Sequence, residues 1–200
     1  MKILASLAII LGLASHATSL AAPQTRDLEW KPNQTLRRGL IPVPAREASE
    51  FQLLRPQDYQ FQTMPGPAGS QAKAWVSPPR ADKTRVYLMV TTLTPPKEEA
   101  TSYTADQVLD KMLSSIERRR KDWKRSATQR GTVNGLTFYR AYWKGTDTQT
   151  GQQMRGFSYV TQIGNSFFQL SSQDIEPAAT TSLALMETMT LTFTLPAPSR

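Results

Sequence analysis

From Thr132 to Asp174 the chain is a succession of extended, alternating segments separated by turn residues. Thr132-Val133-Asn134-Gly135-Leu136 sets Asn-Gly between two extended runs, the strongest short-range signal for a hairpin. A strand is expected over 136–144 (LTFYRAYWK), a polar turn over 145–151 and a second strand over 152–163. Gly164-Asn165 then turns the chain into a third strand over 166–174. Strands joined by turns this short pair antiparallel. The second half of the chain is therefore committed to a meander whose apolar face must be covered.

The remaining elements supply that cover. Short strands are expected over 51–54, 59–64 and 71–77, and a better one over 84–94 (TRVYLMVTTLT). There Val86, Leu88 and Val90 point one way and Tyr87, Met89 and Leu93 the other, the pattern of a central strand with both sides covered. One convincing helix is expected over 104–122. Thr104 and Gln107 form a capping-box pattern, and Val108, Leu109, Met112, Leu113 and Ile116 make one apolar stripe. Pro177 fits the first position of a second helix running to about Met189, and Leu191, Phe193 and Leu195 alternate as a short closing strand or tail. The fold class is α+β, a mainly antiparallel sheet with helices packed on it.

Residues 1–21 have the layout of a secretory signal peptide. A positive start is followed by an apolar run from Ile3 to Ala14 and by small residues up to Ala21. The apolar run is shorter than the roughly 20 residues of a membrane-spanning helix. A cut after Ala21 is expected, with a cut after Ala17 or an uncleaved anchor as alternatives. Residues 22–49, interrupted by Pro23, Pro32, Pro42 and Pro44, read as an extended arm, with Leu40-Ile41-Pro42-Val43 as a docking segment. The domain is expected over 50–195, with a tail over 196–200.

Cleavage removes His16, the single histidine, and the chain has no cysteine. The exported protein then has no imidazole for Ser-His-Asp or Cys-His chemistry and no His or Cys ligand for zinc. It has no disulfide either, so its core must hold it together. Catalysis would have to use carboxylates, Ser–Lys pairs, Tyr or an oxygen-ligated metal.

The order of elements resembles that of the PsbP-like superfamily over residues 50–195. So do Asn134-Gly135-Leu136-Thr137-Phe138-Tyr139, the stretch from Tyr159-Val160 to Gly164-Asn165-Ser166-Phe167-Phe168-Gln169-Leu170, and Leu191-Thr192-Phe193. This superfamily is an α/β/α sandwich that includes an extrinsic subunit of photosystem II, a Ran-binding nuclear transport factor and many bacterial envelope proteins. The resemblance implies a non-catalytic binding or accessory module. Metal-coordinating histidines of some members have no counterpart here, so no metal or cofactor is expected.

Two groups of residues are candidates for binding. Arg118, Arg119, Arg120, Lys121, Lys124 and Arg125 surround Trp123 at the expected end of the first helix. They read either as a solvated helix end favoured by the dipole or as a patch for an anionic polymer, a lipid surface or an acidic envelope protein. Nucleic acid fits an exported protein poorly. Tyr139, Trp143 and Tyr159 belong to an aromatic set that reads either as core or as a ligand groove. Asp106 and Asp110 share a helix face and read as complement to the dipole. The leading function is a non-enzymatic envelope accessory or binding protein, periplasmic or extracellular. The alternatives are a hydrolase or transferase using carboxylate or Ser–Lys chemistry, and a structural protein of the cell wall or outer membrane.

Overall fold

The computed structural model describes residues 28–66, 70–96 and 103–196. The expected leader, the loop residues 97–102 and the tail residues 197–200 lie outside the described residues. Strand β1 (Leu28–Glu29), helix α1 (Gln34–Arg37), and strands β2 (Leu40–Pro42), β3 (Leu54–Pro56), β4 (Gln60–Pro65), β5 (Gln71–Val76) and β6 (Tyr87–Leu93) come first. Helix α2 (Ala105–Glu117) follows, then β7 (Arg120–Arg125), β8 (Gln129–Val133), β9 (Leu136–Asp147), β10 (Gln153–Ile163), β11 (Ser166–Ile175) and helix α3 (Ala179–Thr190).

The described strands other than β2 and β3 form one sheet in the order β1-β8-β9-β10-β11-β6-β5-β4, with β7 also paired to β9. All pairings are antiparallel except β1 with β8. The expected meander is β9, β10 and β11. The Asn134-Gly135 turn before it has φ of 48° and 80°, the two left-handed positions of a type I′ hairpin. Helix α2 packs on β9 and β10 from one side, and α3 packs on β6, β10 and β11 from the other. The result is an α+β fold built on a mainly antiparallel sheet, with a helix on each face.

The two faces hold two cores. Under α3, Phe51, Trp75, Phe138, Tyr159, Phe168 and Phe193 pack with Met186 and Met189. Phe193 touches Phe51, Phe138 and Phe168, with ring centroids 5.3–5.7 Å apart. Under α2, Val108, Leu109 and Leu113 pack on Ala141, Trp143, Val160 and Phe167. The helical stripe read from sequence is thus buried, and the Gln107 carboxamide oxygen accepts from the Thr104 N–H at 3.0 Å.

Three segments differ from expectation. Residues 28–49, read as an arm, are packed on the domain. Trp30 is buried, its N–H donates to the Thr132 carbonyl at 2.8 Å, and its ring lies edge-on to Tyr159. Leu40–Pro42, expected to dock, does so by pairing with β3, and Asn33 caps α1 by accepting from the Thr35 and Leu36 N–H groups. Secondly, α2 stops at Glu117. No apolar residue continues its stripe past Ile116, and the chain gains more by pairing Arg120–Arg125 with the free edge of β9. Of the basic run, Arg118 caps the helix and Arg120–Arg125 is an edge strand. Thirdly, α3 begins at Ala179, two residues after Pro177, and the last segment contributes a single bridge, Thr194 to Gln52.

Candidate functional site

Helix α2 has 13 residues, about 20 Å of length, and lies over β9 and β10. The sheet is much wider, so on this face β6 and β11 are left beside the helix rather than under it. The gap is a cavity of about 750 Å³. Tyr87, Met89 and Leu93 of β6 and Phe167 of β11 form its sheet side, and Met112 and Ile116 form its helix side. These residues are half-buried or buried, which is the lining expected of a small-molecule pocket.

Polar groups sit at defined places in this apolar groove. Lys111 and Arg119, both exposed, stand on its helix rim. Lys111 Nζ lies 3.6 Å from the centre of the Tyr103 ring, a cation–π contact that holds the ammonium at the rim. Among the lining residues, Trp143 Nε1 and Ser172 Oγ are buried without a hydrogen-bond partner among the described residues. Buried polar atoms are normally satisfied, so the Trp143 indole N–H is available to a polar group entering the groove, whereas Ser172, paired with Phe157, points to the α3 face. Trp143 reaches its position because residue 156 is glycine. A Cβ there would come within 2.4 Å of the Trp143 ring and 2.6 Å of the Ser172 carbonyl oxygen. The ring is stacked from the other side by Trp123 at 5.3 Å.

The basic edge strand divides by partner. Arg120 is buried against Asp147 at 2.5 Å, with its guanidinium 5.6 Å from the Trp143 ring. Burial holds its pKa below the usual guanidinium value. The Asp147 carboxyl is held below the usual carboxylate range, first by the Thr150 N–H it accepts. Arg125 reaches Asp110 at 2.9 Å, which explains that acid without any catalytic role. Arg118, Arg119, Lys121 and Lys124 are exposed. The strand is irregular between Lys121 and Lys124, and Asp122 has φ of 52°. Charge and a bulge at a sheet edge discourage another strand from adding there.

No family model matches the chain, and no curated protein matches it. Solved structures do. Cyanobacterial PsbP (CyanoP) from Synechocystis sp. PCC 6803 superposes with a TM-score of 0.54 at 14% identity, over 79% of this chain and 93% of that one. The chain has the PsbP-like fold. LpqN of Mycobacterium tuberculosis, involved in cell envelope biogenesis, gives 0.52 at 13% identity, over 84% of this chain and 99% of its own. PA94 of Pseudomonas aeruginosa, a protein of unknown function, gives 0.51 at 9% identity, over 80% and 99%.

Within the PsbP-like sheet the expected aromatic trio is split. Tyr159 pairs with Arg140, so it shares a face with Phe138, Arg140 and Tyr142, under α3. Tyr139 and Trp143 occupy the α2 face. Directly paired residues point the same way, and a strand alternates its faces, so these three cannot line one groove. Tyr159 is instead part of a buried polar cluster. Its hydroxyl and that of Tyr142 both donate to Glu187, and Arg140 lies 3.3 Å from the same carboxylate and 3.9 Å above the Trp30 ring. Burial, and then Glu187, push the Tyr142 hydroxyl up to about 12, and the Tyr159 hydroxyl is raised further. Of the residues singled out from sequence, Trp143 and Arg119 line the groove. Met89, Lys111, Met112 and Ile116 were missed as site residues. Their only signal was the second apolar face of the strand 84–94 and the outer edge of the helical stripe.

Among the described residues no group of three or more His, Asp or Glu is placed to hold a metal ion, and no helix is long and apolar enough to cross a membrane.

Proposed function

We propose that this protein is a non-enzymatic binding protein of the cell envelope. Its α2 groove takes the acyl part of a single-chain amphiphile whose anionic head meets Lys111 and Arg119. The observation that carries this reading is the pairing of a cavity of about 750 Å³, walled by Met89, Leu93, Met112, Ile116 and Phe167, with two exposed cations on one rim. Apolar walls bind the chain by removing it from water, and the rim cations select the head. The leader-like residues 1–21 and the fold shared with LpqN, a protein of envelope biogenesis, support the location.

The groove is poorly equipped for the alternative catalytic chemistries. Its described lining contains no carboxylate. Ser115 and Lys111 both line it, but the Lys111 ammonium lies against Tyr103 rather than hydrogen-bonded to the serine. A Ser–Lys nucleophile needs that bond.

The test is calorimetric titration of the protein with dodecanoate and with dodecanol. Dodecanoate binds the wild type. The double variant Lys111→Ala/Arg119→Ala binds it roughly tenfold more weakly while dodecanol affinity is unchanged. Equal loss for both probes, or no binding of either, contradicts the reading.

A further inference from the structure

Three cations stand in one row across the sheet, on the face opposite the groove. The register sets Lys124 of β7 against Lys144 of β9, and Lys144 against Arg155 of β10. Directly paired residues point to the same face with Cβ atoms about 4.5–5.5 Å apart, and like charges so placed destabilise a sheet. Edge protection accounts for charge on β7. It does not account for cations at the same level on the inner strands β9 and β10. Lys124 and Lys144 are exposed and have no ion pair or side-chain hydrogen bond among the described residues, and Arg155 meets only Glu176, at 3.1 Å.

The row borders a hollow of about 530 Å³. Tyr142 and Phe157 line its sheet side, and the first turns of α3, with Ala179, Thr180 and Leu183, line the other. Helix α3 opens without a side-chain cap and without an acidic residue in its first turn. Its amide end therefore adds positive potential to the same hollow. Glu187 also lines the hollow, but its carboxylate is matched by Arg140 and by the two tyrosine hydroxyls.

We propose that this hollow binds a phosphate group through Lys124, Lys144 and Arg155, independently of the α2 groove. A doubly charged oxyanion relieves the repulsion along the row. The Arg155 fork takes two oxygens in the plane it offers, and the two ammonium groups act as point charges beside it. Arg155 exchanges Glu176 for the phosphate, and that pair is half exposed, so little is lost.

The test is titration of the ¹⁵N-labelled full chain with inorganic phosphate against sodium chloride of equal ionic strength. Saturable shifts should concentrate at Lys124, Lys144, Arg155 and the Ala179 and Thr180 amides. Lys124→Thr and Lys144→Thr each weaken binding roughly tenfold. Both variants remain folded, with a Tm equal to or above wild type, because each removes a like-charge neighbour. A second arm asks for co-sedimentation with phosphatidylcholine vesicles containing one-third phosphatidylglycerol. Sedimentation of wild type, lost in Lys124→Thr/Lys144→Thr, identifies the phosphate as a lipid headgroup. Phosphate binding without sedimentation identifies a small soluble phosphate. Shifts spread evenly over the surface cations, or phosphate binding unchanged in the double variant, overturn the proposal.

Discussion

On the α3 side of the sheet, Phe51, Phe138, Phe168 and Phe193 close on one another and on Met186 and Met189, and all are nearly inaccessible. On the α2 side, Leu109 and Leu113 fill the space over β9 and β10, but Met89, Leu93, Met112 and Ile116 face a cavity. Among the described residues the aromatic cluster under α3 is thus tightly packed, while the space beside α2 is left as a groove. The contrast teaches where stability resides and where binding can be selected without loss of the fold. Packed aromatic cores lose free energy steeply when cut, and groove walls do not, because their side chains already lack neighbours on one side.

Single substitutions sharpen that contrast. Phe193→Ala should cost about 3–5 kcal/mol by chemical denaturation, because a ring held by three others leaves a cavity. Met112→Ala, in the groove wall, should cost no more than about 1 kcal/mol. Equal losses would mean that the groove is core. Gly156→Ala should cost about 1–3 kcal/mol and change tryptophan emission, since the added methyl must displace the Trp143 ring from the groove wall.

The polar cluster on the closed face gives a pH test. Tyr142 titrates near 10 when unfolded and is pushed up to about 12 when folded, with Tyr159 raised as well. The native state then binds more protons than the unfolded state above pH 10. Stability is fully present below pH 10 and falls as pH rises from about 10 to about 12. Tyr142→Phe should lessen that fall in urea-midpoint measurements, with the buried Tyr59 and Tyr159 keeping the rest, whereas Tyr139→Phe, on the α2 face, should leave it in place. The smallest effect is expected at the surface. Arg125→Ala breaks an exposed pair with Asp110 and should change stability by less than about 1 kcal/mol, with less effect at high salt.

Much of the fold was legible because local chemistry and tertiary placement agree. Asn134-Gly135 and Gly164-Asn165 turn the chain where their sequence says, and the stripe from Val108 to Leu113 meets the sheet as its spacing requires. Where they disagree, long-range pairing wins. Arg120–Arg125 looks like a charged helix end but joins β9, and Trp30 lies in a proline-rich stretch yet is buried beside Tyr159. The site was less legible for a similar reason. Whether Tyr159 faces Trp143 depends on the register of β10, and whether Met89 is covered depends on which strands α2 happens to span. Neither is written in any short segment. The row Lys124–Lys144–Arg155 likewise exists only once three strands are aligned.

The central claim, that the open α2 face is the binding face, is best tested by methyl NMR of the methionines during titration with dodecanoate. Met89 and Met112 line the groove, and Met186 and Met189 are buried on the closed face. The account predicts saturable shifts of the Met89 and Met112 methyl signals with Met186 and Met189 unmoved. Unchanged signals throughout, or equal shifts of all four, would contradict it.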